Sequence, residues 1–338
     1  MRQIWITRYG GPEVLQVREA TDPQAAAGEV RVRVRASGIN FADILARKGL
    51  YPDAPRAPMV VGYEVSGVVD AVGPGVEEQW LGREVFALVR FGGYADAVVV
   101  PVAQIFPKPA RLDHAQAVAL PVQYLTAWQL LVVMGAIGAG DSVLIHNAGG
   151  GVGLAAIDIA RHFGATIFGT ASSAKHGFLR ERGLQHPIDY TRDDWTRELM
   201  RLTSGKGVEL IIDPLGGGHW RKSYAALRPT GRLGMFGIST AASSRLPGPL
   251  RLLALAGTTP WFHPLGLMNR NRGVFGVNLG HLWREVPKLQ GWMKDLLAGV
   301  DAGWIRPHVD RSFAFDSAAG AHRWIEQRRN LGKVVLSA

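Results

Sequence analysis

The stretch Val143-Leu-Ile-His-Asn-Ala-Gly-Gly-Gly-Val-Gly-Leu154 limits the possible fold more than any other part of the chain. An apolar run ends at His146, a glycine-rich turn follows, and a helical pattern begins near Val152. The spacing Ala148-x-Gly150-x-x-Gly153 suits a strand–turn–helix unit that brings its backbone close to a diphosphate. Gly150 leaves room for that approach, Gly153 lets the helix pack on the strand, and the positive end of the helix dipole favours the anion. Ala148, Gly150, Gly151 and Val152 are therefore candidates for binding a dinucleotide. A glycine pattern alone is weak, and its force comes from its surroundings. Strands are predicted at Ser142 to His146, Thr166 to Thr170, Pro187 to Tyr190, Val208 to Asp213, Arg232 to Gly237 and Val274 to Val277. Helices alternate with them at Val152 to Phe163, Lys175 to Arg182, Asp194 to Leu202 and His219 to Leu227. Such repetition implies an α/β fold with a doubly wound parallel sheet covered by helices on both faces.

The first third of the chain differs. Valines 30, 32 and 34 alternate with arginines 31, 33 and 35, which places the valines on a buried face. Further short strands are predicted at Val65 to Val72, Glu84 to Val89 and Tyr94 to Pro101, with glycine turns between them, as in a small barrel or sandwich. With 338 residues, two domains are expected. The apolar segment 243–272 interrupts the strand–helix order. From Ile305 the tail returns to β character, with a helix around Ser317 to Arg328 and a last strand at Lys333 to Leu336.

The chain has no cysteine, so disulfides, thiol nucleophiles and thiolate metal sites are excluded. The formal net charge is +10, but the basic residues are scattered and no nucleic-acid-binding motif accompanies them. No uninterrupted apolar run suits a bilayer span, and the N-terminus does not resemble a signal peptide. A cytoplasmic protein is the expectation.

The end of the second parallel strand bears on the cofactor. A carboxylate there accepts the ribose hydroxyls of NAD. This chain has Thr170-Ala-Ser-Ser-Ala-Lys175 instead. Thr170, Ser172 and Lys175 offer hydroxyls and an ammonium that suit a 2′-phosphate, which points to NADP. Ser172 and Ser173 can equally cap the next helix with Lys175 in solvent, and the two arrangements are compatible.

Together with these motifs, Pro121-Val-Gln-Tyr-Leu-Thr-Ala127, His186-Pro-Ile-Asp-Tyr190 and Asp213-Pro-Leu-Gly-Gly217 make the chain similar, over nearly its whole length, to the medium-chain dehydrogenase/reductase superfamily. It resembles most the zinc-independent quinone oxidoreductases and their vesicle-amine-transport-protein subgroup. The resemblance implies a GroES-like β-domain, 1–122 completed by 304–338, a Rossmann NADP-binding domain at 123–303, and an active site in the cleft between them. Zinc-dependent relatives use cysteines and the histidine of a Gly-His-Glu triplet. Here the triplet reads Gly62-Tyr63-Glu64, so zinc Lewis-acid catalysis is not expected; for Tyr63 itself, plain packing is the favoured role. Asn147 and Gly149 depart from the alanines usual in the family's turn.

Carried over by residue, the resemblance makes Asn40 and Tyr51 the catalytic candidates, polarising an acceptor oxygen, with Asn40 also near the nicotinamide ribose. Asp43 would hold local structure. Thr126 would contact the nicotinamide, Lys175 and Tyr190 the adenosine phosphate, and Asn330 and Lys333 would close over the cofactor. Leu215, Gly237 and Val277 complete the implied cofactor set. The implied reaction is hydride transfer from NADPH to a quinone or an α,β-unsaturated carbonyl as small-molecule substrate. No Ser-Tyr-x-x-x-Lys arrangement or His–Asp pair is evident in the sequence to support alcohol oxidation. A second reading is a cofactor-binding interaction protein with slow or vestigial turnover, meeting a membrane or partner through Leu252, Leu253, Leu255, Trp261 and Phe262. A homodimer joined along the strand Val274 to Val277 is also implied.

Overall fold

Val30, Val32 and Val34 are buried, and Arg31 and Arg33 lie on the opposite face, where both bind Asp70 at 2.8 Å. The alternation thus folds as period two requires. Each fully buried valine contributes roughly 1.5–3 kcal/mol relative to exposure. The computed structural model describes residues 1–243, 253–254 and 256–338. Among these the strands, in chain order, are β1 Arg2–Ile6, β2 Leu15–Glu19, β3 Glu29–Ile39, β4 Met59–Val60, β5 Glu64–Val72, β6 Glu84–Leu88, β7 Ala97–Pro101 and β8 Ile105–Pro107. They continue as β9 Ser142–Ile145, β10 Thr166–Ala171, β11 His186–Asp189, β12 Val208–Asp213, β13 Leu227–Met235, β14 Gly273–Gly276, β15 Val309–Ala314 and β16 Lys333–Ser337.

The first compact unit is Met1–Leu125 with Leu279–Ala338. Its larger sheet runs β15-β16-β3-β5-β6-β8, with β7 also paired to β3, and β2-β1-β4 form a smaller sheet. The C-terminal strand β16 pairs antiparallel with β3, placing Val334 opposite Ile39. The segment 279–303 falls in this unit, where the sequence reading had placed it with the other. Hydrogen bonds show how it is held: Arg111 Nη1 donates to Val300 O at 2.5 Å and Gln290 Nε2 to Ala103 O at 3.1 Å.

The second unit, Thr126–Asn278, is a parallel sheet of order β11-β10-β9-β12-β13-β14. The chain winds outward from β9 in one direction and from β12 in the other, so the topological switch point lies between β9 and β12. Leu144, Ile211 and Leu233 are fully buried in its core. β13 begins five residues before its expected start, with a register irregularity against β12. The stretch His114–Val133 is long and apolar enough for a membrane span by composition, a property the sequence reading did not anticipate; 72% of its most apolar window is buried in protein. Of the apolar segment, Phe262 and Leu267 pack on the second unit's core, whereas Leu253, Trp261, Leu265 and Met268 are exposed. Leu252 and Leu255 lie outside the described residues.

Candidate functional site

In the second unit, β9 ends at Ile145 and the helix Gly151–His162 begins with Gly150 as its N-cap. Asn147 turns the chain with φ +55°, a left-handed conformation that asparagine tolerates better than most residues. Gly153 is required by a close approach: a Cβ there would stand 2.5 Å from Ala148 O. Ala148 is buried and its N–H donates to Thr170 O at 3.0 Å, tying the turn to β10. The first N–H groups of this twelve-residue helix have no intrahelical acceptors, a geometry suited to an anion.

Beside this turn, Ser172 precedes the short 3-10 turn Ser173–Lys175, with no side-chain cap, and its carbonyl accepts the Lys175 N–H at 2.9 Å. Lys175 is half-buried and Tyr190 exposed. Sequence reasoning missed one carboxylate here. Asp189, at the end of β11, is paired in register with Ala171. Its Oδ1 accepts from Thr191 Oγ1 at 2.6 Å and Thr191 N at 2.9 Å, bonds that hold its pKa below the ordinary range. Leu215 N donates to Asp213 Oδ1 at 2.7 Å, Gly237 abuts Pro214, and Val277 is buried just beyond β14.

Behind the turn lies a buried polar cluster that the sequence pass did not identify. His146 Nδ1 meets Thr170 Oγ1 at 3.1 Å and its Nε2 meets Ser223 Oγ at 3.2 Å. Ser223 Oγ and His219 Nδ1 both lie 2.7 Å from Asp213 Oδ2. The Trp195 ring meets His146 edge-on and stacks on His219. Burial pushes His146 down to about 3, so it is neutral. Burial alone would raise Asp213, but the hydrogen bond from His219 and its other polar neighbours bring it below the ordinary carboxylate range. The Asp213–His219 contact is a His–Asp pair of the kind the sequence reading had not found. Thr126, on the helix Pro121–Trp128, is buried.

The first unit holds a second cluster. Asn40 caps the helix Phe41–Arg47, and its Nδ2 donates to Glu64 Oε1 at 2.8 Å. Lys333 Nζ donates to Asn40 Oδ1 at 2.9 Å and to Glu64. Glu64 Oε2 accepts from Val122 N at 2.8 Å. Both amide atoms of Asn40 are therefore oriented, while one Nδ2 hydrogen stays available for a further bond. Lys333 is fully buried, and its ammonium is engaged by Glu64 and Asn40. Asn330 Nδ2 donates to Gly332 O at 3.0 Å.

Asp43, also fully buried, accepts from Asn40 N at 2.8 Å and from Gly62 N and Tyr94 Oη at 3.1 Å. Burial pushes its carboxyl up to about 7. Tyr94 Oη also meets His322 Nε2 at 3.1 Å. Tyr51 is half-buried, and its ring meets Tyr63 edge-on at 6.1 Å. Tyr63 leans on Phe91, and burial raises its hydroxyl far above the ordinary tyrosine value. Thus Asn40, Asp43 and Lys333 form one connected cluster with Glu64, and Tyr51 pairs with Tyr63. A charged residue opening an apolar strand was the available sign for Glu64 and for Lys333.

Residues 26–110 match the model of the alcohol dehydrogenase GroES-like domain, and residues 182–336 that of a family described as zinc-binding dehydrogenase. The human synaptic vesicle membrane protein VAT-1 homolog is 40% identical, covering 99% of this chain and 86% of that protein. A quinone oxidoreductase of Pseudomonas aeruginosa is 33% identical with 99% of both chains covered. The structure of Escherichia coli quinone oxidoreductase complexed with NADPH superimposes with a TM-score of 0.87 at 28% identity, covering both chains completely. A GroES-like β-unit, a doubly wound sheet, a glycine-rich turn and a cysteine-free sequence agree with these matches: the chain belongs to the medium-chain dehydrogenase/reductase superfamily, in the zinc-independent quinone oxidoreductase branch that contains the VAT-1 homologues.

Proposed function

We propose that this protein is an NADPH-dependent oxidoreductase that reduces a quinone or an α,β-unsaturated carbonyl without zinc. The observation that carries this reading is the turn at 146–153. A Cβ on Gly150 or Gly153 would run into Asn147 or Ala148, and the turn opens a twelve-residue helix whose first N–H groups lack intrahelical partners. A diphosphate fits such a cradle. When bound, the reduced nicotinamide supplies the hydride. The chain's own residues bind, orient and polarise. Asn40, its amide fixed by Glu64 and Lys333, presents its remaining Nδ2 hydrogen to an acceptor oxygen. Tyr51 supplies a phenolic hydroxyl for the same purpose.

The preference for NADPH rests on Lys175 with Ser172 and Tyr190. Asp189, in register beside Ala171 at the end of β10, is buried and commits its Oδ1 to Thr191. A charge-assisted hydrogen bond to a 2′-phosphate is worth roughly 1.5–3 kcal/mol, or about ten- to a hundredfold in affinity. Salt moves this toward the lower end. Lys175→Ala is expected to weaken NADPH binding by about that factor and leave NADH binding nearly unchanged, as measured by titrating both cofactors. Equal affinity of the wild type for both would defeat the cofactor assignment. Tyr51→Phe is expected to lower turnover of a quinone and enone panel more than it weakens NADPH binding. One tightly held zinc per chain, with activity lost to chelators, would overturn the zinc-free reading.

A further inference from the structure

At the carboxyl ends of three adjacent strands, β10, β9 and β12, the buried hydrogen bonds admit one self-consistent placement of protons. Asp213 is ionised and can only accept, so the single hydroxyl hydrogen of Ser223 goes to its Oδ2. Ser223 Oγ then has only lone pairs to offer His146, so His146 Nε2 must carry a proton. The imidazole is neutral, which leaves a lone pair on Nδ1 to accept from the Thr170 hydroxyl. Thr170 Oγ1 in turn accepts the Asn147 N–H at 3.2 Å. At the other end Asp213 Oδ1 receives Leu215 N and Oδ2 receives His219 Nδ1. The bonds run in one direction from the glycine-rich turn to the turn after β12, across the switch point of the sheet.

We propose that His146, with Thr170 and Ser223, is a positioning residue that fixes the turns after β9, β10 and β12 as one frame for the dinucleotide; this rests on the cofactor reading above. Packing alone gives no reason for such a group. An apolar side chain of similar volume would avoid the cost of burying an imidazole. The frame ends at Asn147, the non-glycine residue held at positive φ immediately before the phosphate-facing turn, where outside support is what keeps an uncommon conformation populated. His146, Asp213 and His219 do bring possible ligand atoms within 4.8 Å of one another. A metal ion there would need a bare nitrogen on His146, whereas Nδ1 accepts from Thr170 and the Ser223–Asp213 bond requires Nε2 to be protonated. The cluster's own hydrogen bonds therefore favour a frame over a metal centre.

Thr170→Val removes one hydroxyl at nearly constant shape, Ser223→Ala removes the other, and Thr170→Ser restores the first. The valine and alanine variants are each expected to weaken NADPH and NADH equally, by about three- to tenfold, with the NADPH/NADH ratio unchanged. The serine variant should bind both like wild type. The double variant should be little worse than the weaker single one, because both interrupt one chain of bonds. Nitrogen-15 histidine spectra of the wild type at neutral pH should show His146 as the neutral Nε2–H tautomer. Unchanged dissociation constants in variants that merely melt earlier would overturn the proposal. So would a loss confined to NADPH, or a His146 that is charged or protonated on Nδ1. A wild type that binds neither dinucleotide would overturn the cofactor reading and the positioning role with it; a wild type that binds, with insensitive variants, would overturn the frame alone. If Thr170→Val fails to fold, Thr170→Ser and the wild-type spectra still decide.

Discussion

The two units each bury a polar cluster, and they satisfy it by opposite means. In the first unit a carboxylate and an ammonium, Glu64 and Lys333, are both fully buried and compensate one another around Asn40. In the second, a neutral imidazole is enclosed by two hydroxyls, and the cluster's carboxylate, Asp213, receives hydrogen bonds from Ser223, His219 and a backbone N–H. Charges taken out of water are tolerable only as a pair, so losing one member strands the other. A hydroxyl relay spreads its stabilisation over several modest bonds. The first cluster should therefore be brittle and the second graded.

The sharpest way to break this contrast is Lys333→Met. It leaves Glu64 buried with only Asn40 and the Val122 N–H as partners, and should cost about 3–5 kcal/mol in chemical denaturation. Adding Glu64→Gln should recover much of that loss. Thr170→Val or Ser223→Ala in the second unit should cost about 1–3 kcal/mol, since each leaves two uncharged or well-partnered neighbours one hydrogen bond short rather than stranding an unpaired charge. Equal losses in the two clusters would remove the distinction.

These clusters also show what was legible in the sequence. The glycine-rich turn, its strand and its helix are contiguous, so spacing alone located them. The doubly wound sheet followed because every unit repeats the same local pattern. The Asn40–Glu64–Lys333 cluster joins residues 24, 269 and 293 positions apart, and no local period encodes such a meeting. Asn40 and Lys333 were singled out only through family motifs, and their mutual contact was not foreseen. β2 was missed because four of its five residues are exposed, leaving no alternation to see. β13 was shortened because Pro229 and Gly231, ordinary strand breakers, lie inside it. His146 was visible as a strand end, but its role depends on Ser223, 77 residues away.

The clusters also separate by pH. Asp43 is pushed up to about 7 by burial, so the native state keeps a proton that the unfolded chain has released. Its contribution is full below about pH 4 and is lost as pH rises toward about 7, by up to about 1.4 kcal/mol per unit. His146, pushed down to about 3, has the opposite sign. Its contribution is full above about pH 6.5 and is lost as pH falls toward about 3. His322 is also held near 3 by burial and by Arg47, and opposes Asp43 within the first unit. Wild-type curves alone mix these slopes. The stability difference between wild type and Asp43→Asn should fall with rising pH, and that between wild type and His146→Gln should rise. Parallel pH dependence of the two differences would contradict the assigned proton states.

The smallest expected effect is at Tyr63, and it tests whether a buried hydroxyl matters when it makes no well-formed hydrogen bond. Its oxygen is buried and makes no hydrogen bond among the described residues. Tyr94, in the same unit, is fully buried with its hydroxyl between Asp43 and His322. Removing a partnered hydroxyl leaves two polar groups short, at about 1–3 kcal/mol; removing one with no partner gives up no protein hydrogen bond. Tyr94→Phe should therefore destabilise clearly, while Tyr63→Phe should leave stability unchanged or raise it by about 1 kcal/mol at most. Tyr63 occupies the place of the metal-binding histidine in zinc-dependent relatives, so its turnover is the informative second measurement. If the ring serves packing against Tyr51 and Phe91, phenylalanine keeps that packing, and quinone or enone reduction should stay within about twofold of wild type. A tenfold fall in turnover at unchanged stability would instead tie the Tyr63 hydroxyl to the site, through the acceptor's oxygen or through the neighbouring Tyr51 hydroxyl, and Tyr51→Phe with Tyr63→Phe in one chain would separate the two.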